Sequence, residues 1–480
     1  MRFKSLTDNE LDYIFQDVDF PTPPFEHQLQ SLAFGMNHPR RAFFLDIGLG
    51  KTLTALYAAQ LDKAKRILVV CPNSVVDTWI EETVKHTDMV AVDLRGTADE
   101  RWRKLQRLDV EVHVINYEGL RVLWGMRVPK EEGGEKYIAN LAAIRNSPFD
   151  CVIIDEAHHC SDAQTLQSNI IHGLCDQAET VSLLTGTPLA NSYLDLWSLM
   201  YCLDQGDRLG VNFWAYRSRW FRKYGFKWYP KHGAKDTILK HVNELSISYS
   251  RDECFDLPPI TRQIRKVTMT DEQHRVQKRL LEGLSIDVQS GKVTIANVLV
   301  AGTKLAQVAN GFLLDDNGEI IHLAGGNPKA DDLKSLLNEV SSKAIIFHRF
   351  DEDARQIEGV LKKRGTKFSR LRGEIPNEQR AIELGLFKGK NKYQFMVANA
   401  KCGGEGLNLQ AANICIFYSS DYSAVSREQC EGRIYRIGQE LPCLFVDIVA
   451  EGSIDEPILD AVGKKRDLGE AVLDFIRENS

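Results

Sequence analysis

Along this chain, short runs of β-branched and apolar residues alternate with longer stretches whose apolar positions recur every three or four residues. The short runs read as strands buried on both faces and the longer stretches as covering helices, the pattern of parallel sheets. In the first part, strands are expected at Arg66–Cys71, Glu111–Ile115, Asp150–Ile154 and Thr180–Leu184. In the last part they are expected at Lys343–His348, Lys367–Leu371, Tyr393–Val397, Asn413–Phe417 and Cys443–Val449, with helices over Glu352–Lys363, Asn377–Phe387 and Ala424–Ile434. Between these parts the pattern turns mostly helical. Leu257-Pro-Pro259 reads as a connector, since consecutive prolines neither continue a helix nor donate to a sheet. The expected architecture is α/β: a lobe over 1–200, a mostly helical insertion and connector over 201–330, a second lobe over 331–450, and a helical brace over 451–480.

Composition narrows the class. A length of 480 residues suits more than one core, and 43% hydrophobic with 26% charged residues excludes wholesale disorder. A net charge of −6 excludes a histone-like cationic coat while leaving room for a local basic groove. Ten cysteines without one C-x-x-C pair give little support for a structural metal site and fit a reducing compartment. No apolar run reaches membrane-spanning length, and the first residues lack a signal-peptide core. The expectation is a soluble, intracellular protein of cytoplasm or nucleoid with no membrane partner.

Gly48-Leu-Gly-Lys-Thr52 follows the apolar run Ala42-Phe-Phe-Leu45 and precedes a helical run from Leu53, the context that a phosphate-binding loop requires. Gly48 and Gly50 would let backbone N–H groups converge on phosphate oxygens, Lys51 would reach the β- and γ-phosphates, and the Thr52 hydroxyl would ligate Mg2+. The strict pattern wants glycine where Leu45 stands, so this segment alone also fits a plain glycine turn. The downstream run Val152-Ile-Ile-Asp-Glu-Ala-His158, an apolar strand ending in two acids, makes ATP hydrolysis the reading. Asp155 would hold Mg2+ through water, and Glu156 would orient or deprotonate the attacking water. In the last third, Arg433 and Arg436 are spaced to share one face of an expected helix, where they could grip a γ-phosphate or serve as a solvated basic face or structural ion pairs.

Taken together the motifs resemble the SNF2 family of superfamily 2 helicase-like ATPases over nearly the whole chain. Phe25-Glu-His-Gln28 looks like the adenine-reading Q motif, Leu45–Thr52 like motif I, Leu68–Trp79 like motif Ia and Ile115-Asn-Tyr-Glu118 like motif Ib. Asp155-Glu-Ala-His158 is the DEAH form of motif II, and Leu184-Thr-Gly-Thr-Pro-Leu-Ala-Asn191 is close to motif III. Lys343–His348, Gly403–Leu409 and Gln429–Gln439 resemble motifs IV, V and VI. Departures are Leu45 and Asp46 where members commonly carry Asp-Glu, a single Arg251 before the connector, and Gly432 and Tyr435 where Asp and His are common.

The resemblance implies two RecA-like lobes with ATP and Mg2+ in the cleft between them. Gln28, with Phe25, would meet the adenine; Arg433 and Arg436 would close on the γ-phosphate; His158 and Gln429 would communicate across the cleft. Thr185 and Thr187 would link nucleotide to nucleic acid, or simply cap turns. It also favours double-stranded DNA, followed along one strand through phosphates without base specificity, by a monomer that remodels protein–DNA complexes or anneals or regresses strands. Tyr117, Asn399, Lys401 and Asn408 are the candidate track contacts. From Phe213 to Lys240 lie eight Lys or Arg and one acid, Asp236, with nine aromatics between Phe213 and Tyr229. Arg222, Lys223 and Lys227 of this stretch are candidate DNA contacts, and core packing is the reading for most of its aromatics. A strand-separating DNA or RNA helicase, and an ATP- and DNA-binding recruitment module with negligible turnover, are the competing readings.

Overall fold

The computed structural model describes residues 5–129, 134–186, 192–224, 227–289, 295–315, 317–373, 375–389, 392–400, 408–420, 423–463 and 468–479. Thr187 and Lys401 lie outside these residues. The chain divides into two compact units, Met1–Phe255 and Asp256–Ser480. The prolines of the expected connector follow directly on that boundary.

In the first unit, β1 (Arg40–Leu45), β2 (Ile67–Cys71), β3 (Ala91–Asp93), β4 (Val112–Asn116), β5 (Cys151–Asp155), β6 (Thr180–Leu184) and β7 (Ser246–Tyr249) form one sheet. Its order is β7-β1-β6-β5-β2-β4-β3, and every neighbouring pair is parallel. Side chains alternate across a strand, and the core divides accordingly. Ala42, Phe44, Leu68, Val70, Val152 and Ile154 join one apolar layer, whereas Phe43, Leu45, Ile67, Val69, Cys151 and Ile153 join the other. With both faces covered, most polar groups lie in loops and at strand ends, and His113 and Ser182 are buried within strands.

The second unit repeats the arrangement with β8 (Ile260–Val267), β9 (Ala344–His348), β10 (Phe368–Leu371), β11 (Phe395–Asn399), β12 (Ile414–Phe417) and β13 (Cys443–Ala450). The order is β8-β13-β12-β9-β11-β10, again wholly parallel. Ala344, Ile346, Phe395 and Val397 face one layer, and Ile345, Phe347, Met396 and Ala398 the other. The segment 201–330 serves both units, since it supplies β7 to the first sheet and β8 to the second. Its helices Asp271–Gln289 and Ile295–Ala309 share an apolar cluster with the closing helices Asp455–Gly463 and Leu468–Asn479 through Leu281, Leu305, Ile458 and Phe475. Among the described residues nine cysteines form no disulfide and eight of them are buried, no metal-ligating cluster occurs, and no helix is long and apolar enough to cross a membrane.

One helix end differs from expectation. The helix beginning at Ala424 stops at Glu431, so Arg433 and Arg436 stand in the turns that follow and share no helical face. What anchors that helix is ionic. The Arg427 guanidinium, over the Phe417 ring, donates to both oxygens of Asp447 (2.5 and 2.9 Å) and to Glu431 (2.6 Å), and Arg262 grips Glu431 with two bonds of 2.7 Å. Arg427 is 10% exposed and Arg262 is 55% exposed. Removing the buried partner strands carboxylates in low dielectric, whereas water screens the loss of the exposed one. Arg427→Met should therefore lower the second unit's stability in urea by about 3–5 kcal/mol, and Arg262→Met by about 1 kcal/mol. Equal losses would show that burial does not decide the difference.

Candidate functional site

Leu184 of β6 is in register with Phe43 of β1 on one side and with Asp155 of β5 on the other. The glycine loop, the acidic pair and Thr185 consequently leave the sheet at one end, the carboxyl ends where open α/β sheets bind ligands.

The loop after β1 turns through left-handed Gly48 (φ 91°) and Gly50 (φ 74°) into the helix Lys51–Leu61. Glycine is required twice at position 50, because a Cβ there would also lie 2.3 Å from Gln28 Nε2. That contact gives Gln28 a part in shaping the loop. It is 2% exposed, its Oε1 accepts from Phe25 N (2.8 Å), and its Nε2 donates to Gly50 O (3.2 Å) and Leu49 O (3.4 Å). The amide joins His27 and Thr54 in donating to these two loop carbonyls, and so braces the loop. His27, kept neutral chiefly by burial, donates from Nε2 to Leu49 O (2.9 Å). Phe25 is half-exposed, stacked on His27 and edge-on to Phe255, and so keeps an aromatic face for a base. Lys51 Nζ donates to Leu45 O (3.1 Å), with Thr52 half-buried beside it in the first helical turn. Asp46, one of the departures noted in the sequence, accepts from Arg251 N (3.0 Å) and lies 3.8 Å from its guanidinium.

Asp155 is the last residue of β5 and 8% exposed. Its Oδ2 accepts from Trp79 Nε1 (2.9 Å) and its Oδ1 from Glu156 N (2.9 Å). Burial first, then the neighbouring Glu156 charge, pushes its carboxyl up to about 6, while the Trp79 bond and the Lys51 charge oppose the shift. Lys51 is thus electrostatically within reach of Asp155, as the sequence motifs require. Glu156 adopts left-handed backbone (φ 49°) and opens the turn Ala157–Cys160, which holds His158 Nδ1 3.4 Å from its carboxylate. Burial lowers His158 to about 3, so the imidazole in this contact is neutral. Hard oxygen donors at Asp155 and Thr52, with an acid whose ionised form is costly without a cation, suit a divalent ion such as Mg2+.

One further expectation changes. Tyr117 is buried, and its hydroxyl donates to the carbonyls of Asp155 (2.6 Å) and Glu156 (3.2 Å), so it braces the acidic turn and is closed to a nucleic-acid track. Thr185 is fully buried at the end of β6. Trp79 and Gln439 acquire roles that their motifs did not assign. Gln439 donates to the carbonyls of Gln410, Ala412 and Ile434 and accepts from Leu441 N, tying the turn that carries Arg433 and Arg436 to the chain preceding β12. Arg433 and Gln429 are buried, and Arg436 is half-buried.

Among the remaining candidates, Asn399 donates to Arg349 O (3.3 Å) and exposed Asn408 accepts from Gln410 N (3.2 Å). In the basic-aromatic stretch, Tyr216 and Phe221 enter the first unit's core with Phe213, Trp220 and Trp228 against it. Arg222 and Lys223 are exposed on the strand Phe221–Tyr224, and Lys227 opens the strand paired with it.

The chain matches the SNF2-related domain over residues 27–312 and the helicase conserved C-terminal domain over residues 328–438. It is 23% identical over 462 residues to the ISWI chromatin-remodeling complex ATPase ISW1 of Saccharomyces cerevisiae, covering 89% of this chain and 38% of that protein. It is 24% identical to the human DNA excision repair protein ERCC-6-like, covering 90% of this chain and 40% of that one. With putative protein p41 of Acyrthosiphon pisum secondary endosymbiont phage 1 it shares 24% identity, covering 95% of this chain and 99% of the phage protein. The chain therefore spans well under half of the yeast and human relatives. The Sulfolobus solfataricus SWI2/SNF2 ATPase core in complex with dsDNA is similar at 22% identity over 98% of this chain and 95% of that one, with a TM-score of 0.44.

The raised Asp155 pKa fixes the sign of a pH effect. The protonated acid fits the fold better than the carboxylate, so its contribution is whole below 3.8 and is lost as pH rises through about 6. His113, His158, His172 and His348, all lowered by burial, change stability in the opposite sense over much of that range, so the readout is a difference. Nucleotide-free wild type should lose about 2 kcal/mol relative to Asp155→Asn between pH 4 and 7. A pH-independent difference in urea melts would remove the desolvated carboxylate from this account.

Proposed function

The chain belongs to the SNF2-related family of helicase-like ATPases, and from that footing we propose that it is a DNA-stimulated motor that hydrolyses ATP to translocate on duplex DNA. The observation that supports this most is the meeting of glycine loop and acidic pair at one end of the first sheet.

Phosphate oxygens would take the amides at the start of the Lys51 helix, and Lys51 would exchange the Leu45 carbonyl for the β- and γ-phosphates. Thr52 and Asp155 would hold Mg2+, which supplies charge neutralisation across the phosphates when bound. Glu156, fixed by its turn beside Tyr117 and His158, would orient the attacking water and take its proton. Gln28 would keep the loop shaped for these bonds, and Phe25 would offer a face to the adenine. Arg433 and Arg436 would stabilise charge on the γ-phosphate, and losing that ligand after hydrolysis would release the closed state. Gln429 and His158 are the proposed couplers, with Thr185 and Thr187 relaying to the track.

Duplex DNA is the proposed track because the relatives' names concern chromatin and DNA repair. Asn399, Asn408, Arg222 and Lys223, with Lys401 and Lys227, suit phosphate contacts, which carry no base information. Remodelling of a DNA-bound protein, monomeric action and residence in cytoplasm or nucleoid belong to the same proposal.

ATP turnover measured in parallel with no nucleic acid, single-stranded DNA, duplex DNA and RNA should rise most with duplex DNA; stimulation by RNA alone would overturn the choice of track. Glu156→Gln should keep nucleotide binding while turnover falls at least about a hundredfold. Undiminished hydrolysis there would remove Glu156 from the chemistry. Arg433→Ala should cost about a thousandfold in turnover with little loss of nucleotide affinity, and unchanged turnover would leave the arginine a structural role only.

A further inference from the structure

The strands Phe221–Tyr224 and Lys227–Pro230 form an antiparallel ribbon with Arg222 opposite Tyr229, Lys223 opposite Trp228, and Phe221 opposite Pro230. Directly opposed residues share a face and successive residues alternate, so the ribbon has two unlike sides. On one, Phe221 is 1% exposed within the core and Trp228 packs against it, with the Arg217 guanidinium 4.2 Å from the Trp228 ring. The other carries Arg222 and Tyr229 directly opposed and Tyr224 diagonal to them. Arg222 is exposed, Tyr224 is 80% exposed and Tyr229 is 38% exposed.

We propose that this outer face binds single-stranded DNA by stacking unpaired bases on Tyr224 and Tyr229 while Arg222 meets the backbone. The inference rests on the reading of the chain as a DNA motor and deepens it, giving the motor a contact for unpaired strand beside its duplex track. Charge supports the occupant. The stretch 213–240 holds eight basic residues and one acid inside a chain whose net charge is −6, so its local potential opposes that of the whole. Ring exposure supports the class of nucleic acid. A duplex hides its base faces in its own stack and offers a ribbon base edges and phosphates, on neither of which a tyrosine ring can stack. Unpaired bases present π-faces, and stacking accepts any sequence. The packed inner face holds the ribbon in place, so the rings are offered without further ordering cost.

The test uses the full chain, an oligothymidylate and a blunt duplex of equal length, with affinities from fluorescence anisotropy across a salt series. Tyr224→Ala should weaken oligothymidylate binding about tenfold with an unchanged salt slope, and duplex binding should change less than twofold. Tyr224→Trp should restore the lost affinity, which separates a stacking role from damage to the ribbon. Arg222→Ala should weaken binding and also flatten the salt slope. Equal losses on both DNAs would overturn stacking in favour of backbone contact alone, and no change on either would remove the face from nucleic-acid binding, as a protein-docking ribbon would require. A wild type that binds neither DNA would overturn the motor reading itself, an outcome distinct from wild-type binding that the tyrosine variant leaves intact.

Discussion

A sheet covered on both faces has nowhere to put charge except its edges and ends, and this constraint organises the molecule. In the first unit it drives Asp155 to the last position of β5, where Trp79 and its own neighbour's amide give it two hydrogen bonds in place of water. Burial and the neighbouring Glu156 charge outweigh these bonds and hold the carboxyl up to about 6. Lys51 meanwhile rests on a backbone carbonyl. An anionic polyphosphate carrying a divalent cation would relieve both conditions together, because it brings negative charge to the lysine and positive charge to the carboxylate.

The backbone at Glu156 shows how the second acid of the pair is held. Left-handed geometry at a residue with a Cβ costs about 1–2 kcal/mol. It persists because the surroundings over-determine it. Asp155 accepts from the Glu156 amide, and Tyr117 donates to the carbonyls on both sides of the bond. The same three-residue arrangement that strains the backbone removes its alternatives. A side chain fixed this way needs little reorganisation when a water molecule arrives, which is where preorganised polar groups gain most of their effect.

Periodicity made the strands legible, since Thr180–Leu184 runs as expected and the other expected strands differ at their ends by a residue or two. Strand ends were legible too, because glycines and acids after apolar runs signal a site whatever the fold. What stayed hidden were partners chosen across the chain. A helix through Ile434 fits the local pattern, but Gln439 draws the Ile434 carbonyl out of any helical ladder and ties it to the segment near Gln410 and Ala412. Gln28 and Tyr117 carry groups suited to a ligand, and only the fold shows that neighbouring carbonyls take them first. Trp79 lies 76 positions from Asp155, a separation no window of sequence pattern spans.

The second unit meets the same constraint with a different result. At the carboxyl ends of β9 and β12, Asp353 is also buried and pushed up to about 6, yet it accepts from Asn310 Nδ2, Ser419 Oγ and Phe350 N. The adjoining Lys329 ammonium is matched by Asp455 and Asn310. Here the chain supplies both the cation and the donors itself, and the network locks four helices to the sheet. In the first unit the corresponding charges are left with a carbonyl and two donors. Among the described residues, two similar sheets thus differ in whether the charges at their carboxyl ends are matched by the chain or left for a ligand, and that difference supports placing the proposed triphosphate on the first unit.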